Sequence, residues 1–305
     1  MPRTHSSSSR NALRLLGPRG DRQQHRDRMA GTRVRRHIHE HVRAVMVKGR
    51  GSVEGLFIHP VKGLSAQPLD RVELRPRMGI PNDRIFAFAR PDGRYRPGTR
   101  AGLPKQEFFA LVSDHRLVGL DTHLDTETDV LTARVAGHDV LKADLSSEEG
   151  RDDAVRFFTR VLDLPAGVTP VLAREVGRRF TDAAAAGDGP MNWVSLVNLA
   201  SVRDLGSRTG TVVDPTRFRA NVLVDGLPAW FELDAIGQEF DLGGVRVRAV
   251  RPTKRCAATE VDPGTGRRDL PVVSMIHRTY GHQLMGIYLE VLTAGVLEKG
   301  SEVVV

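Results

Sequence analysis

The only thiol of the chain lies directly after two cations. Cys256 is the single cysteine among 305 residues, and Lys254 and Arg255 precede it. Nearby positive charge favours the thiolate, which is both the nucleophile and a soft metal ligand. One cysteine provides neither an internal disulfide nor the paired thiols of common zinc sites. Since an isolated cysteine is often a small buried apolar residue, residue chemistry alone leaves three interpretations open: metal ligand, nucleophile or core residue.

Two other groups of polar residues have side chains that could take part in chemistry. Thr181 and Asp182 precede a small-residue loop that could line a substrate entrance. His277 and His282 lie in a segment that we predict to be the loop before the last long strand, and histidine transfers protons near neutral pH. For all four residues an ordinary solvated position is the favoured interpretation. No glycine-rich phosphate-binding loop of the Rossmann or P-loop type is present in the sequence.

The positive charge of the chain is concentrated at its amino terminus. The formal net charge is +8, but residues 1–50 hold 13 Lys and Arg against 3 Asp and Glu, a net +10, and the remainder is −2. A nucleic-acid partner is therefore not expected. Residues 1–50 are predicted to be a disordered basic tail. A start site at Met29 or Met46 explains this tail better than an organelle leader does.

Composition indicates a globular protein without a membrane span. Apolar residues make up 40% of the chain and charged residues 27%, and no apolar run approaches the length of a transmembrane helix. With a single cysteine, the default prediction is a reducing, cytoplasmic location.

The elements that must position these groups are predicted to be mostly β-strands. From residue 53 onward, short apolar runs alternate with Gly, Pro, Asn and Asp, which is typical of strands joined by turns. Gly243 and Gly244 suit the tight turn of a hairpin. The predicted strands are 53–58, 71–75, 84–90, 108–112, 130–135, 140–144, 221–224, 239–242, 245–250, 284–292 and 302–305.

Two helices are predicted between these strands. Ser146 and Glu149 fit a capping box, and the helix that follows has an apolar face and ends near Pro165. The face comprises Ala154, Phe157, Phe158, Val161 and Leu162. A weaker helix is predicted over 198–208. The pattern thus predicts two β-rich halves that join near residues 165–175.

The segment around Cys256 resembles the cysteine motif of MOSC domains, which are named for the C-terminal part of molybdenum cofactor sulfurases. Other segments are similar to the amidoxime-reducing group of that family, in the same order and spacing. The segments are 59–63, 82–84, 217–222, 255–266 and 286–300. The resemblance covers about residues 53–305, although Gly63 and Lys254 depart from the usual residues of the family.

The resemblance implies a fold. It is mostly β (α+β), with a MOSC β-barrel-like domain over 171–305, preceded by a smaller N-terminal MOSC-associated β-barrel domain over 51–170. The pyridoxal-phosphate domain of the sulfurases is not expected in this chain.

The resemblance also implies a cofactor site. The family binds molybdopterin, a pterin with a phosphate tail and a dithiolene that holds molybdenum, and Cys256 would be the protein ligand to the metal. Lys62, Arg84 and Arg219 are candidates for the phosphate and pterin, because Arg is a forked donor and Lys a point charge. Asn221 is expected to share one face of a strand with Arg219. Arg255 completes the cofactor-binding set.

The function implied is a molybdenum-dependent oxidoreductase that reduces small N-hydroxylated compounds such as amidoximes and hydroxylamines. Its electrons would come from a separate electron-transfer protein or reductase, because an iron–sulfur centre needs several cysteines. Two alternatives remain. One is a carrier of the molybdenum cofactor or of sulfur without turnover of its own, and the other is a cysteine-dependent enzyme without metal.

Overall fold

The structure, a computed structural model, describes residues 48–305. Most of the predicted basic tail, with Met29 and Met46, lies outside the described residues, so the expectations about it stay predictions. No helix among residues 48–305 is long and apolar enough to cross a membrane.

The described residues are mostly β, as predicted. The strands in chain order are β1 (Arg50–Ile58), β2 (Gln67–Leu69), β3 (Arg71–Leu74), β4 (Phe86–Ala89), β5 (Asp121–Asp125), β6 (Val130–Val135), β7 (His138–Asp144), β8 (Val171–Arg174), β9 (Val194–Asn198), β10 (Val222–Asp225), β11 (Glu239–Leu242), β12 (Val245–Lys254), β13 (Leu284–Val291), β14 (Gly295–Glu298) and β15 (Glu302–Val304). The helices are α1 (Glu148–Val161), α2 (Asp188–Met191), α3 (Leu199–Thr209), α4 (Phe231–Asp234) and α5 (Val272–Tyr280).

Seven of the strands close into a barrel. Their order is β10, β9, β13, β12, β11, β15 and β1, and β1 pairs again with β10. The β9–β10 pair is parallel, whereas the other barrel pairs are antiparallel. In β12 the side chains of Val245, Val247 and Ala249 are buried and those of Arg246 and Arg248 are exposed, as barrel geometry requires. The apolar interior of the barrel is one continuous cluster.

A second group of strands precedes most of the barrel in the chain. Strands β5, β6 and β7 form an antiparallel meander, and β4 pairs with β8. Helix α1 packs on β7, and the rings of Phe88 and Phe158 meet at 4.2 Å between centroids in the core of this region. The domain boundary near residue 170 stays a prediction, because β1, which lies before it, is part of the closed barrel.

Helix α1 confirms the predicted apolar face but not the predicted cap. Ala154, Phe157 and Phe158 are buried on one side, as is Leu162 directly after the helix. The N-cap is Ser147 rather than Ser146, because the Ser147 hydroxyl accepts a hydrogen bond from the Gly150 amide at 3.0 Å.

Two of the predicted segments have a different structure. Residues 108–112 do not form a strand: Phe108 makes one isolated bridge with Ala89, and the chain then turns. The apolar residues there serve two different clusters, which explains why the run looks like a buried strand. Helix α5 replaces the loop expected around His277.

The buried Glu232 carboxyl in α4 makes stability depend on pH. The Ser201 hydroxyl donates to its Oε2 at 2.9 Å, and its Oε1 has no protein partner among the described residues. Burial raises the pKa of Glu232 from 4.5 to about 7, so the folded state holds a proton that the unfolded state releases. This contribution is complete below pH 4.5 and is lost as the pH rises through 7.

We therefore expect the effect of Glu232→Gln on stability to depend on pH. The free energy of unfolding of the variant, relative to that of the unsubstituted protein, should be about 2 kcal/mol more favourable to folding at pH 8 than at pH 5. Urea unfolding at the two pH values measures it, and the exposed Glu298→Gln is the control. An equal effect of Glu232→Gln at both pH values would rule out this titration.

Candidate functional site

A cleft of about 500 Å³ brings together all six residues predicted for the site. They come from distant parts of the chain. The cleft is lined by Lys62, Arg84, Arg219, Asn221, Arg255 and Cys256. The structure thus provides one concave site where the sequence offered only separate motifs.

Cys256 lies at the point where β12 ends. It is the N-cap of the short 3-10 helix Ala257–Glu260, and the Thr259 amide and hydroxyl both donate to its carbonyl oxygen at 3.0 Å. Its Sγ is half-buried and accepts a hydrogen bond from the Lys105 Nζ at 3.2 Å. The thiol therefore faces a cation across the cleft.

Arg217 holds the loop that follows Cys256. Its buried guanidinium donates to both carboxylate oxygens of Asp269 at 2.7 Å and to Asp262 at 2.9 Å. The Asp262 carboxylate also accepts from the amides of Gly264 and Thr265, which closes a tight turn. One buried cation thus fixes both ends of the loop after the thiol.

Positive charge dominates the lining of the cleft. Its lining includes eight cationic side chains and a single carboxylate, that of Asp182. The cations are Lys62, Arg84, Lys105, Arg217, Arg219, Arg251, Lys254 and Arg255. Such an excess favours an anionic ligand.

Arg219 has an unusual backbone conformation. It follows the 3-10 helix Pro215–Phe218 in the left-handed conformation, with φ of 50°, and β10 begins only at Val222. The expectation that Arg219 and Asn221 share a strand face was therefore wrong. Phe218 and Ala220 are buried as predicted.

Within residues 48–305 the Arg219 guanidinium makes no hydrogen bond and no ion pair. Burial, together with the nearby Arg84, lowers the pKa of Arg219 from 12.5 to about 9. A desolvated cation without a counter-charge is destabilising unless a ligand supplies one. Arg219 is thus the clearest sign of an anion site in the cleft.

Asn221 is held by the protein itself. Its Oδ1 accepts from the Ser195 amide at 3.1 Å and the Ser195 hydroxyl at 2.8 Å, and its Nδ2 donates to the Phe57 carbonyl at 3.2 Å. It therefore ties β9 and β1 together just before β10, and so it positions the backbone next to Arg219.

Arg84 is oriented by a buried carboxylate. Its Nη1 donates to Asp83 at 2.5 Å and its Nη2 to the Arg219 carbonyl at 3.1 Å. Burial opposes the charge of Arg84, but the charge and hydrogen bond of Asp83, together with Asp182 and Tyr288, raise its pKa. The neighbouring His59 stays neutral, because burial and the charges of Arg219 and Arg84 lower its pKa to about 3.

Lys62 and Lys105 share the Asp182 carboxylate. The Lys62 Nζ donates to Asp182 at 2.6 Å and to the Phe180 carbonyl at 2.9 Å, and the Lys105 Nζ lies 3.8 Å from Asp182. Burial lowers the pKa of Lys62. Asp182, expected to be an ordinary loop residue, instead joins two cations of the cleft. Lys105 was not predicted at all, because nothing in its local sequence signals a contact 151 residues away.

The two predicted proton-transfer candidates lie elsewhere. His277 is in the last turn of α5, and His282 stacks on Tyr280 with 5.8 Å between ring centroids. Neither lines the cleft.

Arg255 presents a buried donor without a partner. Its Nε donates to the Met285 carbonyl at 2.7 Å and its Nη1 to the Phe218 carbonyl at 2.8 Å, whereas Nη2 has no acceptor among residues 48–305. Gly286 leaves room for this group: a Cβ there would lie 3.0 Å from Nη2 and 2.4 Å from the Leu196 carbonyl.

We expect Gly286→Ala to destabilise the protein and displace Arg255. Gly286 has φ of +72°, a conformation that disfavours alanine, and the added methyl group would clash with the backbone of β9. A loss of about 2–3 kcal/mol in the free energy of unfolding is expected in urea denaturation. Gly281→Ala is the matched control, since Gly281 also has a positive φ but no atom near its missing Cβ. Equal losses in the two variants would show that strain alone is responsible.

The residues present fit a phosphate-bearing cofactor with a soft metal. The Arg219 guanidinium and the Arg255 Nη2, which have no acceptors in the described part of the chain, are donors for anionic or carbonyl oxygens. Cys256 supplies a thiol in the same cleft. Among the described residues no group of three or more His, Cys, Asp or Glu converges on one point. The fold and site thus define a class: β-barrel proteins with one cysteine in a cation-lined cleft.

Comparison with known proteins gives the family. Residues 50–167 match the MOSC N-terminal beta barrel domain and residues 185–304 match the MOSC domain. The chain belongs to the MOSC proteins that carry this N-terminal barrel domain.

The relatives are similar over most of this chain at low identity. Mitochondrial amidoxime reducing component 2 of Bos taurus is 25% identical over 291 residues, covering 83% of this chain and 82% of the relative. Mitochondrial amidoxime-reducing component 1 of Homo sapiens is 25% identical, and the match covers 71% of this chain and 68% of the relative. Molybdenum cofactor sulfurase of Caenorhabditis elegans is 27% identical over 78% of this chain but only 33% of its own length.

Proposed function

We propose that this protein binds the molybdenum cofactor and reduces N-hydroxylated compounds, such as amidoximes and hydroxylamines, with electrons from a separate donor. The observation that carries the proposal is the cleft itself. It combines the only thiol of the chain with a buried guanidinium and a second buried donor that have no side-chain partners among residues 48–305. The names of the relatives, which refer to amidoxime reduction and to the molybdenum cofactor, support the same function.

The proposed roles follow from the contacts of each side chain. Cys256 would hold the metal through its sulfur, and Lys105 donates a hydrogen bond to that sulfur at 3.2 Å. Arg219, Arg84 and Arg255 would bind the phosphate and pterin oxygens, while Lys62 would contribute a point charge. Asn221, through Ser195, positions the backbone that follows Arg219. Arg219 and Arg255 have donors without acceptors among residues 48–305, so they would bind the cofactor most directly.

When bound, the cofactor would supply a metal that accepts oxygen and passes electron pairs. In the overall reaction the N–O bond breaks, two electrons and two protons are consumed, and the oxygen leaves as water. The protein would bind the cofactor, orient the substrate and exclude water from the site. We propose that a separate electron-transfer protein or reductase delivers the electrons, because Cys256 alone cannot hold an iron–sulfur cluster. We further propose a cytoplasmic location, without pyridoxal phosphate or nucleic acid as partners.

Steady-state reduction of benzamidoxime by a chemically reduced viologen dye tests this function. Protein produced in a host that makes the molybdenum cofactor should convert benzamidoxime to benzamidine with continuous turnover. Bound molybdenum without turnover would contradict the reductase function, and the protein would then be a carrier of the cofactor. Turnover without molybdenum would contradict the proposed cofactor, and the protein would then be a cysteine-dependent enzyme without metal.

A further inference from the structure

One exposed and two half-buried side chains at the rim of the cleft form a platform that the proposed cofactor roles do not use. The Arg251 guanidinium lies 5.2 Å from the Trp193 ring centroid and 5.4 Å from that of Tyr288. The two rings are 5.9 Å apart and inclined by 40°. All three residues line the same cleft as Cys256.

The strand pairing explains why these residues meet. Arg251 and Tyr288 are cross-strand partners in β12 and β13, and Tyr288 is paired in turn with Ser195 in β9, two residues after Trp193. The register of β12 shifts on both sides of Arg251, between Ala249 and Arg251 and again after Pro252. Such bulges redirect side chains, and here Arg251 is turned over the two rings.

Arg251 carries a charge that no acidic side chain of the described residues neutralises. Its side chain forms no ion pair and no hydrogen bond with any of residues 48–305, and it is exposed. Lys254, which is also exposed at the rim, has no acidic partner in the same part of the chain. The one carboxylate of the cleft, Asp182, already contacts Lys62 and Lys105. A ligand entering past the rim therefore meets two aromatic faces and uncompensated positive charge.

We propose that Arg251, Trp193 and Tyr288 form a substrate subsite that selects planar aromatic N-hydroxylated compounds bearing a carboxylate. The rings offer flat apolar faces for stacking, and the guanidinium offers a forked donor to the carboxylate. This inference rests on the proposed function for its substrates, but the subsite is defined by its own three residues. They are distinct from those assigned to the cofactor.

The kinetic test compares three substrates of the holoenzyme with the same dye reductant: benzamidoxime, 4-carboxybenzamidoxime and the aliphatic acetamidoxime. The ratio of kcat/KM for the carboxylated compound to that for benzamidoxime should be about fivefold or more. Arg251→Gln should lower this ratio to about one, and 0.5 M salt should weaken it in the unsubstituted enzyme. Trp193→Leu should lower the preference for benzamidoxime over acetamidoxime by about threefold.

Arg248→Gln is the matched control, because Arg248 is a cation of the same strand that pairs with Glu239 and Glu290 away from the cleft. It should leave every ratio unchanged. A ratio of one in the unsubstituted enzyme, or a ratio that survives Arg251→Gln, would overturn the subsite.

Calorimetric titration of the purified protein separates this inference from the proposed function, since it needs no turnover. 4-Carboxybenzamidoxime should bind about fivefold more tightly than benzamidoxime, and Arg251→Gln should remove the difference. If the protein shows this difference but no reduction, the subsite stands and the reductase fails. If the two compounds bind with equal affinity to a protein that does reduce benzamidoxime, the reductase stands and the subsite fails.

Discussion

Cys256→Ser should abolish reduction of N-hydroxylated substrates and strip the protein of molybdenum. A serine hydroxyl does not ionise near neutral pH and is a hard ligand, so it cannot replace a thiolate at a soft metal. The expected fall in kcat/KM is on the order of 100-fold or more, since even residues behind metal ligands account for 10- to 100-fold. Metal analysis and dye-coupled kinetics on the same preparations measure both effects.

The fold should survive this change. Cys256 is half-buried and makes no disulfide, and its backbone contacts with Thr259 do not involve the thiol. The melting temperature of cofactor-free Cys256→Ser should therefore match that of the unsubstituted protein. Arg267→Gln serves as the control, because it alters an exposed side chain of the same loop. Turnover near the unsubstituted level in Cys256→Ser would refute the role of the thiol.

Arg219→Gln should lower cofactor affinity while making the cofactor-free protein more stable. The guanidinium has no counter-charge among residues 48–305, and its lowered pKa of about 9 shows that the folded protein disfavours the cation. Removing it should raise the free energy of unfolding by about 1 kcal/mol, or roughly 2 °C in Tm. Loss of a charge-assisted contact to phosphate should weaken cofactor binding by about 10- to 100-fold.

These opposite signs distinguish a binding residue from a structural one. Thermal unfolding of cofactor-free protein and molybdenum content after purification give the two measurements. Arg248→Gln, which also removes one positive charge, should leave the molybdenum content unchanged. If Arg219→Gln destabilised the cofactor-free protein and left its molybdenum content intact, Arg219 would be a structural residue.

The fold could be predicted from sequence where a pattern is local. Strands β6 and β11 lie where the apolar alternation placed them, and α1 buries the apolar face that its spacing indicates. The short strand β9, by contrast, is buried at every position and so shows no alternation. Closure of the barrel between β1 and β10 depends on contacts between distant segments, which no local pattern records.

The same contrast holds for the site. Cys256 is distinctive by type and neighbours, and the cations of the cleft could be named from their motifs. The sequence could not show which cation lacks an acidic partner, because that depends on the positions of the carboxylates in the folded chain. Asp83 contacts the guanidinium of Arg84 but not that of Arg219. Lys105 and the rim residue Arg251 stand in no motif, so only the folded chain shows that they lie in the cleft.

The central claim is that this cleft holds a molybdenum cofactor through Cys256. Elemental analysis of protein purified from a host that makes the cofactor tests it most directly, with Cys256→Ser prepared in parallel. The account predicts about one molybdenum per chain, together with pterin, in the unsubstituted protein and almost none in the variant. Folded, unsubstituted protein without molybdenum, or equal molybdenum in both proteins, would contradict it.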